Sequence, residues 1–77
     1  MIMDDVLSRI EKDLRIFDDN IKKVGSIDKR QQKVVELAEM YASDCKAFIK
    51  KGDLYTAFSC ISYAHGLLDA ILKINES

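Results

Sequence analysis

The 77-residue chain contains one histidine, His65, and it stands four residues before Asp69. If that stretch is helical, the two side chains share a face one turn apart. A carboxylate bonded to one ring nitrogen would fix the imidazole tautomer and raise the basicity of the other nitrogen. Counting back from a bend at Gly52 sets Glu39 opposite His65. A histidine between two carboxylates could serve as a general base or hold a metal weakly. His65, Asp69 and Glu39 are therefore the candidate ligand-binding residues. The plainer reading is a hydrogen-bonded histidine at the edge of an apolar core. No serine, cysteine or lysine stands beside His65 as an obvious nucleophile, so no residue is assigned a catalytic role.

The two cysteines, Cys45 and Cys60, lie seven residues before and eight after Gly52, at one level of a helical hairpin. A disulfide would suit that placement and would add about 3 kcal/mol by loop closure. Two buried thiols suit it too, and are the favoured reading because intracellular disulfides are rare. Two cysteines and one histidine do not make a structural zinc site, and no cofactor is implied. Gly66 falls mid-helix, where glycine costs about 1 kcal/mol relative to alanine. With Ser59, Ser62 and Ala70 it forms a strip of small residues suited to close packing. Lys22, Lys23, Lys29, Arg30 and Lys33 gather near one connection, but no aromatic side chains interleave them for base stacking. Nucleic acid is thus an improbable partner.

Three helices must position these residues. Met3, Leu7, Ile10, Leu14, Phe17, Ile21 and Val24 step by four and three, a heptad seam that predicts a helix over about 3–24. Asp4 or Asp5 can cap its start, and Gly25 can end it in a left-handed conformation. Asp28 and Gln31 have capping-box spacing for a second helix over about 29–51. Its central stripe reads Val34, Ala38, Tyr41, Cys45 and Phe48. Gly52 stops that helix, and Asp53 caps a third over about 54–74. Links this short make the second and third helices antiparallel neighbours, and the whole an all-α, antiparallel up-down-up three-helix bundle in one domain.

Composition agrees. The chain is 48 % apolar and 32 % charged, with three glycines and no proline. Disorder and a β-rich fold are both disfavoured. Twelve basic against thirteen acidic residues leave a net charge of −1, with no field to draw nucleic acid or anionic lipid. No apolar run approaches membrane-spanning length, and the N-terminus carries acids where a signal peptide carries bases. A cytoplasmic protein with no membrane partner is expected.

The third helix is the unusual one. Its apolar arc covers about 220°, against the ~100° of an ordinary surface helix. A bundle of three does not need that much from one member. Part of the flank formed by Cys60, Tyr63, Leu67 and Ile74 is expected to look outward and meet a protein partner or a second copy of the chain; the plainer alternative is that the first helix covers it.

Lys50-Lys51-Gly52-Asp53, then Ala57, then Tyr63-Ala64-His65-Gly66-Leu67-Leu68-Asp69-Ala70 resembles the signature of the archaeal domain of unknown function 357 family. The resemblance covers essentially the whole chain, with its specific part in residues 50–70. It implies a three-helix bundle from an archaeal cytoplasm, with Tyr63, His65, Gly66 and Asp69 in one unit. It carries no catalytic residue over, and a thermophilic source would favour a Cys45–Cys60 bridge. Gly-Asp-x-x-x-Ala followed by Tyr-Ala also resembles one helix of tetratricopeptide-type repeats, but no second copy follows.

Overall fold

A computed structural model describes residues 2–76 as three helices: α1, Ile2–Ile21; α2, Lys29–Lys50; and α3, Leu54–Glu76. The side chains of Met3 and Asp4, read above as seam and cap, lie outside the described residues.

The α2–α3 turn forms as its residues dictate. Gly52 has φ of +79°, where any Cβ would be strained. Its N–H bonds the Ile49 carbonyl and the Asp53 N–H bonds the Phe48 carbonyl, both at 3.0 Å. Those two bonds satisfy carbonyls that the end of α2 would otherwise leave open. Asp53 then caps α3. Its carboxylate accepts from the Thr56 N–H at 3.1 Å and the Thr56 hydroxyl at 2.7 Å. Those two bonds, hydroxyl first, hold its carboxyl below the ordinary value.

The α1–α2 connection departs from expectation. α1 ends at Ile21 rather than Val24, and Gly25 does not have a positive φ. Lys23 N–H to Asn20 O and Val24 N–H to Ile21 O close four-residue turns instead. A connection over 22–28 is long enough to reverse the chain without a left-handed residue. Asp28 caps α2 by accepting from the Gln31 N–H at 2.8 Å. The Gln31 side chain does not complete the box; its Nε2 donates to Asn75 Oδ1 at 3.1 Å. That bond ties the start of α2 to the end of α3 and accompanies the extension of α3 past Ile74.

Burial separates the helices by role. Val35, Ala38, Ala42 and Cys45 of α2 are buried with Ala57, Ile61, Ala64, Leu68 and Ile71 of α3. The alanines let the two backbones approach closely. Val34, Tyr41 and Phe48, expected in the central stripe of α2, lie instead on its flank and are only partly buried. α1 buries Ile10 and Phe17. It packs chiefly on α3 and touches α2 little. Beyond Ala42, α2 turns exposed Glu39 and Lys46 toward that side, and charge there gives α1 nothing apolar to cover. The result is a slender bundle of 42 × 18 × 15 Å.

One sequence expectation needs correction. Over its 23 residues α3 is long and apolar enough, by length and composition, to cross a membrane. The central helix of a bundle meets the same measure, because it is apolar around most of its girth.

Candidate functional site

α3 runs through the centre of the molecule with two apolar flanks. α1 covers the first. Arg9 lies over the Phe58 ring at 5.8 Å. The His65 ring meets Phe17 edge-on, with centroids 5.9 Å apart. His65 Nε2 lies 2.7 Å from the Asp13 carbonyl oxygen. A carbonyl can only accept, so Nε2 carries the proton and donates. His65 is therefore a fastener between α1 and α3.

The proposed polar cluster does not assemble. His65 makes its hydrogen bond to Asp13, with none to Asp69 or Glu39. Asp69 and Glu39 are both exposed. Asp69 instead lines an open cleft of about 430 Å³ with Asn20, Lys23, Lys73 and Glu76. Among the described residues, no group of three His, Cys, Asp or Glu side chains could hold a metal.

The cysteines are level with each other, as the count from Gly52 predicts, but unbridged. Cys45 is fully buried between α2 and α3, and Cys60 is partly buried. Burial, then the nearby Cys60, pushes the Cys45 thiol up to about 11. Burial, then Asp44 and Asp53, raises the Cys60 thiol as well. A raised thiol is a poor nucleophile at neutral pH.

The small-residue strip does not pack inside the bundle. Ser59, Ser62, Gly66 and Ala70 are all exposed. A Cβ added at Gly66 would meet nothing within 4 Å. Ser59 uses its hydroxyl on the Tyr55 carbonyl, at 3.2 Å. Three helices leave this side of α3 to solvent because α1 and α2 both sit on the other.

The second flank of α3 carries Cys60, Tyr63, Leu67 and Ile74, the flank expected in part to look outward. Tyr63 is 50 % and Ile74 61 % exposed. The structure adds what the sequence reading missed: α2 supplies half of the surface. Tyr41 meets Tyr63 edge-on at 4.7 Å. Val34 and Phe48 stand two turns to either side of Tyr41, and half-exposed Leu37 and Met40 extend the rim. Val34, Tyr41 and Phe48 are spaced by seven, as are Cys60, Leu67 and Ile74. Two heptad ladders thus run side by side on the face of the α2–α3 hairpin that α1 leaves open. The shared spacing was visible in the sequence. What hid it was that the ladder on α2 is adjacent to that helix's buried stripe.

Comparison with curated proteins finds no match. The sequence profile of the family described as Protein of unknown function (DUF357) matches residues 12–75. That span takes in the second half of α1, both connections, all of α2 and nearly all of α3. The chain belongs to the DUF357 family.

Proposed function

We propose that this chain is a small, non-catalytic, cytoplasmic interaction module that docks a protein through the open face of its α2–α3 hairpin. The observation that carries this reading is the pair of parallel heptad ladders, Val34/Tyr41/Phe48 and Cys60/Leu67/Ile74, partly buried except at exposed Ile74 and bordered by exposed Leu37, Met40 and Tyr63. Ladders of that spacing are what a further helix packs against in bundles and coiled coils. An exposed apolar surface of two adjacent helices is larger than the scattered single side chains of an ordinary surface.

The test places a photo-crosslinking amino acid at position 63 of the full chain. The expected result is a discrete protein adduct that disappears in Leu67→Glu and Ile74→Glu, with helicity by circular dichroism unchanged. No adduct of any mass, at any expression level, overturns the reading.

A further inference from the structure

We infer that Cys45 and Cys60 form a redox clasp: a small-molecule disulfide closes the two thiols into a bridge that ties α2 to α3, and a thiol reductant opens it. The inference stands apart from the docking reading, because the bridge lies within one chain.

Register brings the pair together. Gln31 on α2 bonds Asn75 on α3 at 3.1 Å, and the Tyr41 and Tyr63 rings meet at 4.7 Å. One turn from the ring pair toward the Gly52 tip stand Cys45 and Cys60. Rotation agrees with level. Cys45 is fully buried, and Cys60 packs against the same core. The backbone N–H that reaches the Cys45 sulfur is that of Ile61, the residue after Cys60. Ala38, Ala42, Ala57 and Ala64 are buried at this contact, and side chains that small bring helix axes to about 8 Å. Cα atoms stand about 2.3 Å off each axis. Positions beside the contact line then fall within the ~4.4–6.8 Å that a disulfide spans between Cα atoms.

Accessibility orders the steps. Cys60 is only partly buried, whereas Cys45 is closed to solvent. The Cys60 thiol loses its proton and attacks one sulfur of the small disulfide, forming a mixed disulfide and releasing one thiol. The Cys45 thiol then loses its proton and attacks Cys60 Sγ. The mixed S–S bond breaks, the Cys45–Cys60 bond forms and the second thiol leaves. The chain gives up two electrons and two protons, and the small disulfide becomes two thiols. Burial and the nearby carboxylates Asp44 and Asp53 keep the Cys60 thiol protonated at neutral pH, so the first step is slow. The clasp therefore responds to sustained oxidation and not to a brief pulse. Transient bridges of this kind are the ones that cells with a reducing interior use.

The test incubates the full chain in graded mixtures of oxidised and reduced glutathione, blocks free thiols by alkylation, and maps peptides without reduction. The expected product is a monomer with Cys45 joined to Cys60, lighter than the reduced chain by two hydrogens. Closing a loop of about fifteen residues should raise the melting temperature by about 10 °C or more, and reductant should abolish the rise. Cys45→Ala should stop at glutathione on Cys60, and Cys60→Ala should stay unmodified. If either variant fails to fold, the peptide map of the parent chain decides alone. Thiols still free in the most oxidising mixture overturn the inference. So do glutathione retained on Cys60 of the parent chain, bridges only between copies, or a bridge that forms only in urea. A bridged monomer that melts no higher than the reduced one overturns it too, because such a bridge would not hold the native hairpin.

Discussion

On one flank of α3, His65 and Leu72 are partly buried, with Phe17 and Arg9 of α1 against His65 and Phe58. On the other, Tyr63 and Ile74 are more than half uncovered or close to it, and only α2 stands beside them. Both flanks are apolar, and both lie on one helix. What separates them is a single neighbour, because α1 can lie on only one side of the hairpin. Apolar character alone therefore says that a surface is coverable. Which surface is covered and which stays open depends on how many helices the chain has.

Substitutions on the two flanks should break or sharpen that contrast. Phe17→Ala, on the covered side, should cost about 3–5 kcal/mol of unfolding free energy, read by urea denaturation. A loss below about 1 kcal/mol would mean that α1 is not part of the cooperative core. His65→Ala should cost about 1–2 kcal/mol through the lost bond to the Asp13 carbonyl and the lost ring contact. Hydrogen exchange should then rise in α1 before α2. Equal rises in all three helices would remove His65 as the fastener.

Between the flanks, Cys45 reports on the α2–α3 seam. Its folded value is raised from 9.0 to about 11, so folding favours the protonated thiol. The stability it contributes is complete below pH 9 and declines as pH rises through about 11. Cys45→Ala should flatten that part of the pH profile relative to the parent chain. An unchanged slope would show that the thiol is not held in a dry seam.

Ile74→Glu, on the open flank where Ile74 is 61 % exposed, should have the smallest effect on monomer stability. It should stay within about 0.5 kcal/mol in dilute solution, where the face is solvated. A loss comparable to that of Phe17→Ala would mean that this flank is core after all. Asp53 gives a similar control at the turn. Its carboxyl is held low by Thr56, so its contribution is present above the ordinary carboxylate range and is lost as pH falls through the lowered value. Asp53→Asn should blunt that acid response.

Local chemistry made much of the fold legible. Gly52 and Asp53 announced the α2–α3 turn, because a left-handed position and an N-cap each admit few residue types. Asp28 announced the start of α2 for the same reason. Gly25 misled, since a glycine allows a left-handed stop without requiring one, and the connection over 22–28 had slack to turn otherwise. Exposed Tyr63 and Ile74 lie on the flank that an apolar arc too wide for three helices singled out, whereas Cys60 and Leu67 on that flank pack partly against the core. His65 with Asp69 was not, because one-turn spacing puts two side chains on a face without saying what faces them. The ring met Asp13 and Phe17, fifty residues away in sequence.

By itself, then, the sequence determined three helices, their turns, the level pairing of Cys45 with Cys60, and the surplus of apolar surface on α3. These follow from backbone preferences and from periodicity, which act within a few residues. Only the tertiary structure decided that α1 lies on the His65 side. It also decided that Val34, Tyr41 and Phe48 sit at the edge of the core, beside Cys60 and Leu67, and not at its centre. Those outcomes depend on which of two apolar flanks a third helix covers, a choice made between whole helices and not within any one of them.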